Sequence, residues 1–248
     1  MSQLPPLGVT NLVGASFSVL SKKYLPLLIT ACVLSLVIGF SINALTPILY
    51  GTGGVTGDFA FYLISLALGT LQVAIQVLVC AQIVRGEPID IGSCISHALT
   101  CLAPLVVLSM VTYLCVLAGA MLLIIPGLLI AAMWAVLIPA VLFEGAGFGG
   151  LGVSAYLTRE YRWPIIGAGI LIFGLMFVVF LVMLFAIGFN AIAAPSELLL
   201  AEPVWFVALE SLVTAVFQAI SSLFSVLLYT RLKDIKEGGS GNVEEVFA

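Results

Sequence analysis

The stretch CLAPLVVLSMVTYLCVLAGAMLLIIPGLLIAAMWAVLIPAVLF, residues 101–143, contains no charged side chain. A transmembrane helix needs about 20 apolar residues at a rise of about 1.5 Å each, so this stretch is long enough for two helices. The sequence Ile124-Ile125-Pro126-Gly127 breaks it, because proline lacks an amide hydrogen and glycine permits the chain to reverse. We therefore predict a helical hairpin with its turn near 125–126. One long kinked helix is the alternative.

The whole chain has the composition of a membrane protein. Of its 248 residues, 62% are hydrophobic and 8% are charged, and the mean hydropathy is +1.29. Soluble domains contain about 25% charged residues, so we expect lipid to surround most of this chain. A nucleic-acid partner would require a clustered basic face, which the sequence does not contain.

Apolar runs long enough to cross a bilayer recur along the chain. They predict six transmembrane helices, here called spans one to six, at about 24–45, 59–83, 101–124, 127–143, 164–190 and 206–230.

The basic residues give these spans an orientation. With six spans, all eight of them fall on one side of the membrane, and the opposite turns contain none. Cytoplasmic loops are enriched in Lys and Arg, so we predict that both termini are cytoplasmic and that the chain lies in the bacterial inner membrane. A single kinked helix over 101–143 would separate Arg85 from Arg159, so the charges favour the hairpin. The basic residues are Lys22, Lys23, Arg85, Arg159, Arg162, Arg231, Lys233 and Lys236.

Each predicted hairpin follows an amphipathic segment and begins at a proline. Proline suits the first turn of a helix, where its missing amide hydrogen is not needed. Such segments would lie along the inner headgroup boundary, which indicates a threefold repeat of interfacial helix plus hairpin; coincidence of three prolines is the alternative. The prolines are Pro26, Pro104 and Pro164, and the segments are Val9–Tyr24, Asp90–Thr100 and Gly152–Arg162.

The predicted fold class is therefore all-α: a polytopic membrane protein with six transmembrane helices in three hairpins plus cytoplasmic interfacial amphipathic helices. Residues 1–23 would form an N-terminal cytoplasmic interfacial helix, 24–230 the six-helix transmembrane domain, and 231–248 a cytoplasmic tail. Within the tail, 242–247 has an Asn cap and helical apolar spacing, which indicates either a short docking helix or a frayed terminus.

Several stretches resemble a known membrane domain. They are Leu123–Gly127, Met133–Ala140, Glu144 and Tyr156–Trp163, together with the closing stretches Tyr229–Lys233, Lys236–Gly238 and Val246–Phe247. These stretches resemble the bacterial six-helix membrane domain that also occurs fused to glycerophosphodiester phosphodiesterases. Free-standing members of that family are the YciC-like inner-membrane proteins. The resemblance is clearest over about 100–170 and implies a fold and an inner-membrane location. It implies no activity, because the phosphodiesterase resides in a separate soluble barrel.

Motifs for catalysis, cofactors and metals point to no site. His97 is the only histidine, and the chain contains neither a zinc-protease motif nor a nucleophile elbow. The run Gly147-Phe148-Gly149-Gly150-Leu151-Gly152 has dinucleotide-binding spacing but follows an apolar span instead of a strand, so we interpret it as a flexible joint. Cys94, His97 and Cys101 have helical spacing, yet a structural zinc needs four ligands. We predict no catalytic residue, no cofactor and no metal.

Two polar stripes within spans two and six are the most informative candidate site. Span two contains Gln72, Gln76 and Cys80, and we expect its stripe and that of span six to face other helices, where amides and hydroxyls contribute about 0.6–2 kcal/mol each. The functional alternative is a polar seam for a small solute or a lipid headgroup, because a carboxylate within a span is costly and tends to line a cavity. The span-six stripe comprises Glu210, Thr214, Gln218, Ser221, Ser222 and Ser225.

We therefore predict a non-enzymatic integral inner-membrane protein that serves as an assembly, scaffold or membrane-homeostasis component. The alternative is a transporter or lipid-handling protein that uses the seam between spans two and six. An intramembrane enzyme has the least support. Expected partners are the lipid bilayer and a membrane protein or lipid.

Overall fold

The described part of the chain is helical throughout, as predicted. The computed structural model describes residues 24–49, 54–193 and 204–237, and no strand occurs among them. The helices are α1 (Tyr24–Leu49), α2 (Gly54–Arg85), α3 (Ile91–Thr100), α4 (Leu102–Leu122), α5 (Ile124–Met133), α6 (Leu137–Glu144), α7 (Gly150–Thr158), α8 (Arg162–Ala193) and α9 (Val204–Glu237). A single 3₁₀ turn, Gly147–Gly149, precedes α7.

Four helices in the described residues are long and apolar enough to cross a membrane: Thr56–Arg85, Leu102–Leu122, Ile124–Glu144 and Ala208–Lys236. Two shorter apolar pieces, Leu27–Ile42 and Arg162–Gly174, belong to α1 and α8. All six predicted spans coincide with helices or with helix pairs. The segment Val9–Tyr24 before Tyr24, and the tail segment 242–247, lie outside the described residues.

The hairpin of spans three and four is present, but its turn lies earlier than predicted. The chain reverses at Leu123, which has an extended backbone (φ −162°, ψ 145°) between α4 and α5. Pro126 lies within the first turn of α5, where its missing amide hydrogen costs nothing. Gly127 is inside α5 and buried, so our assignment of the reversal to the Pro-Gly pair was wrong.

The role of Gly127 is close helix packing. A Cβ atom at Gly127 would lie 2.8 Å from the amide nitrogen of Ala120, and one at Gly119 would lie 3.1 Å from the Cα of Gly127. Residues 119–120 of α4 therefore pack directly against α5, and the two helices run antiparallel. This contact excludes the long kinked helix.

Span four itself is interrupted by a turn over Trp134–Val136, between α5 and α6. Leu137 donates its amide to the Trp134 carbonyl at 3.1 Å, which leaves the Met133 carbonyl without the helical partner that it would otherwise have. The hydroxyls of Ser154 and Thr158 on α7 donate to that carbonyl at 3.0 and 2.9 Å.

The proline of α6 frees a second carbonyl. Pro139 has no amide hydrogen for the carbonyl of Ala135, four residues earlier. The Ser225 hydroxyl on α9 donates to the Ala135 oxygen at 3.2 Å. Both α7 and α9 are thus bonded to the break in span four.

The predicted interfacial segment Gly152–Arg162 corresponds mainly to α7, which packs into the protein. Its face of Gly150, Ser154, Leu157 and Thr158 is buried. A Cβ atom at Gly150 would collide with Val141, so glycine is required there for close approach. The glycine run that we interpreted as a flexible joint thus has defined roles, since Gly147 also has a left-handed backbone.

We predict that Gly127→Ala lowers the stability of the purified protein by about 1–3 kcal/mol, because the added methyl group overpacks the contact with Ala120. The matched control is Gly167→Ala on α8, where a Cβ atom would meet nothing within 4 Å. That control should raise stability by up to about 1 kcal/mol through helix propensity. Denaturation midpoints in mild detergent measure both effects, and a Gly127→Ala variant as stable as Gly167→Ala would contradict the hairpin packing.

Candidate functional site

The polar stripe of span two faces the interior, as predicted. Gln72 and Gln76 lie on the buried face of α2, together with Cys80. Gln72 donates its amide nitrogen to the Ser35 hydroxyl on α1 at 2.6 Å, and both side chains are buried. This hydrogen bond joins α1 to α2.

Gln76 forms a hydrogen bond with span six. The Ser222 hydroxyl on α9 donates to its side-chain oxygen at 3.4 Å. Gln76 is 0% exposed, and its side-chain nitrogen has no hydrogen-bond partner. An amide donor left unpaired in an apolar interior costs free energy, so Gln76 is buried with its hydrogen-bonding capacity only partly satisfied.

The stripe of span six divides between two faces of α9. Ser222 is buried and Gln218 is half-buried, but Glu210 and Thr214 are exposed. Our expectation that the whole stripe faces protein was therefore wrong for its outer half. The physical reason is the helical period, because each step of four residues rotates the position by about 40° at 3.6 residues per turn.

That rotation accumulates to about 120° between Glu210 and Ser222. Only the half of the stripe nearer Ser222 can then contact α2. The structure brings together Gln76 and Ser222, while the amide nitrogen of Gln72 is taken by Ser35. The predicted set of Gln72, Gln76, Glu210, Thr214 and Gln218 does not line one continuous surface.

Two cavities formed by described residues lie elsewhere, and none of these five residues lines either of them. One, of about 300 Å³, is apolar and lies between α5, α8 and α9, with Ser221 and Ser225 on its wall. The other, of about 430 Å³, is polar and lies where α2 ends, between α3 and α6.

The cysteine and histidine donors near α3 do not converge. Cys94 is buried against the core, and Cys101 lies at the junction after α3 ends. The His97 Nε2 lies 3.0 Å from the carbonyl of Leu142 and donates to it. Burial, reinforced by the Asp90 carboxylate, raises the pKa of the Cys94 thiol. Among the described residues no group of three potential ligands is close enough to hold a metal.

A cluster that the sequence analysis did not identify lies at the end of the bundle that carries the basic residues. Tyr229 donates its hydroxyl to Glu144 at 2.7 Å, and Lys233 lies 3.4 Å from the same carboxylate oxygen. Lys236 pairs with Glu160 at 3.5 Å. The sequence places these residues at one end of the spans, but the choice of partners depends on how the helices pack.

Comparison with protein families, curated proteins and solved structures found no match to this chain. The resemblance to the YciC-like membrane domain therefore rests on the residues quoted above and stays a prediction.

We predict that Gln72→Leu and Gln76→Leu affect stability differently. Gln72→Leu removes a short hydrogen bond between α1 and α2 and should lower stability by about 0.6–2 kcal/mol. Gln76→Leu removes an unpaired buried donor, and Ser222 can bond to its own helix instead, so stability should change by less than about 0.5 kcal/mol or rise. Denaturation midpoints in detergent compare the two variants. An equal loss in both would show that Gln76 is as well bonded as Gln72.

Proposed function

We propose that the chain is a non-enzymatic integral protein of the bacterial inner membrane that serves as an assembly, scaffold or membrane-homeostasis component. The observation that carries this proposal is the use of the buried polar side chains. Gln72 with Ser35, and Gln76 with Ser222, hydrogen-bond between helices instead of lining a cavity. Side chains used in this way stabilise the helix bundle.

The proposed topology has six spans with both termini in the cytoplasm. Two observations support it. The helices α1 and α8 extend over 26 and 32 residues, which is long enough for a bilayer. Among the described residues, Lys236 also pairs with Glu160, and Arg85 stacks on Phe143, which is next to the Glu144 that pairs with Lys233.

The outer surface of the bundle suits a partner or lipid. Of the four long apolar helices, α4 is the least buried within the chain. Its exposed side chains include Val107, Met110, Tyr113 and Leu114. An exposed apolar helix face of this kind contacts either lipid or another membrane helix.

We predict that a reporter that is active only in the periplasm is active when fused after Gly53 or Ser196 and inactive when fused after Gly239. The basic residues at the opposite end of the spans retain that end in the cytoplasm. Activity of the Gly239 fusion, or inactivity of both others, would contradict the six-span topology. A cytoplasmic reporter at the same three sites provides the reciprocal control.

The competing function is a transporter or lipid-handling protein that uses the seam, and the unpaired amide nitrogen of Gln76 favours it. Glu210 discriminates the two functions. For a scaffold, Glu210→Gln keeps hydrogen-bonding capacity and should leave folded yield and partner recovery unchanged, whereas a proton- or cation-coupled site requires the titratable carboxylate.

The experiment combines mild-detergent purification, mass spectrometry of co-purifying proteins and lipids, and a lipid-distribution assay for the wild type, Glu210→Gln and Glu210→Leu. A stoichiometric protein partner that the Gln variant retains supports the scaffold. Loss of lipid redistribution in the Gln variant at normal yield would instead support the seam and overturn the scaffold.

A further inference from the structure

The polar cavity beside the end of α2 has the construction of a ligand site. It has a volume of about 430 Å³, which lies within the range of small-molecule pockets. Leu142 and Phe143 of α6 form its apolar wall, and the polar side chains of Gln82, Arg85 and Glu87 open into it. It shares no residue with the seam of spans two and six.

The walls of this cavity are held in place by hydrogen bonds. The Gln82 side-chain oxygen accepts the amide of Asp90 at 3.1 Å, and Asp90 caps α3 by accepting the amide of Ser93 at 3.2 Å. His97 is bonded to the Leu142 carbonyl, which ties α3 to α6. The loop between α2 and α3 begins at Gly86 in a left-handed conformation. The backbone around the cavity and the Gln82 side chain are thus held in place before any ligand arrives, which lowers the entropic cost of binding.

Three polar groups in the cavity, the Arg85 guanidinium, the Glu87 carboxylate and the Gln82 side-chain nitrogen, form neither an ion pair nor a side-chain hydrogen bond among the described residues. The Arg85 guanidinium lies over the Phe143 ring, 5.5 Å from its centroid, and pairs with no carboxylate of the described residues. Glu87 is exposed and likewise forms no ion pair there. Because the oxygen of Gln82 faces the Asp90 amide, its nitrogen remains available as a donor.

The opposite charges of Arg85 and Glu87 determine which kind of ligand fits the cavity. A simple anion would be attracted by Arg85 and repelled by Glu87, and a simple cation would meet the reverse. A ligand that carries both a phosphate and an ammonium satisfies both residues. Arg binds phosphate through its planar set of N–H donors.

The position of the cavity indicates the source of such a ligand. Arg85 is the last residue of a membrane-spanning helix, which places its side chain at headgroup depth. On α3, the exposed Ile91, Ile95 and Leu99 recur at every fourth position and form an apolar stripe, on the side of the helix turned away from the cavity-lining Ser93, Cys94 and His97. A stripe of this kind lies against acyl chains at the membrane surface.

We propose that this cavity binds the headgroup of a zwitterionic phospholipid with a primary ammonium, with the phosphate on Arg85 and the Gln82 amide and the ammonium on Glu87. Phosphatidylethanolamine is the lipid of this class that we use as the probe. Phosphatidylglycerol carries the same phosphate without the ammonium and is the matched control lipid.

The test measures lipid binding to the full chain in detergent by native mass spectrometry, with titration of each lipid. The wild type should prefer phosphatidylethanolamine. Arg85→Gln should weaken binding of both lipids by about tenfold, because a charge-assisted contact contributes about 1.5 kcal/mol and tenfold corresponds to about 1.4 kcal/mol. Glu87→Gln should weaken phosphatidylethanolamine alone and abolish the preference.

The control variant is Arg159→Gln, since Arg159 is exposed outside this cavity. An Arg159→Gln variant with the same loss as Arg85→Gln would overturn the site, because general surface charge would then explain the binding. No preference for phosphatidylethanolamine in the wild type would also overturn it. Complete displacement of lipid by soluble phosphoethanolamine or inorganic phosphate at equimolar concentration would identify a soluble ligand and overturn the lipid assignment. Unchanged denaturation midpoints verify that the exposed substitutions leave the fold intact.

Discussion

A backbone carbonyl within a bilayer must find a donor inside the protein, and this requirement organises the bundle around span four. The turn over Trp134–Val136 and the proline that follows it free the carbonyls of Met133 and Ala135. Hydroxyls from α7 and α9 supply the missing donors. The interruption of one helix therefore determines where two other helices pack. In a continuous span four the Met133 carbonyl would be bonded within its own helix, and Thr158 would keep only its bond to the Ser154 carbonyl.

The position of α9 then brings two further polar side chains of this helix to their partners on α2 and α6. Once Ser225 is bonded to Ala135, the turn before it brings Ser222 to Gln76 on α2, and the turn after it brings Tyr229 to Glu144. These three contacts lie at intervals of three or four residues, so they belong to neighbouring positions along one side of the helix. The polar residues Ser222, Ser225 and Tyr229 thus contact α2, the turn before α6 and the last residue of α6 from one face of α9. Glu210 lies about 120° around the helix from Ser222 and is not on that face.

The sequence was sufficient for the all-α class and for the hairpin of spans three and four, because both depend on the length of the apolar runs. It was also sufficient for the burial of Gln72 and Gln76, which lie only four residues apart on one helix. It did not predict that Glu210 and Thr214 are exposed. Residues spaced four apart shift by about 40° around the helix at each step, so over three steps they no longer share one face. Nor could it locate the reversal at Leu123, because Pro126 is compatible with both a turn and the first turn of a helix. The polar cavity at the end of α2 requires packing between α2, α3 and α6, which residue spacing alone does not specify.

The described core and the end of α2 differ in the kind of polar side chain that they contain. In the core the polar groups are neutral amides and hydroxyls, which can be satisfied by a single neighbour at moderate cost. At the end of α2, Arg85 and Glu87 are close in sequence yet do not neutralise each other, and water or lipid headgroups are available to solvate them. Because these two charged side chains are exposed, the fold does not depend on pairing them with each other, and both can contact a ligand in the cavity. The chemistry by which this chain distinguishes one molecule from another is accordingly expected at the membrane surface, outside the hydrogen-bonded core that holds the helices together.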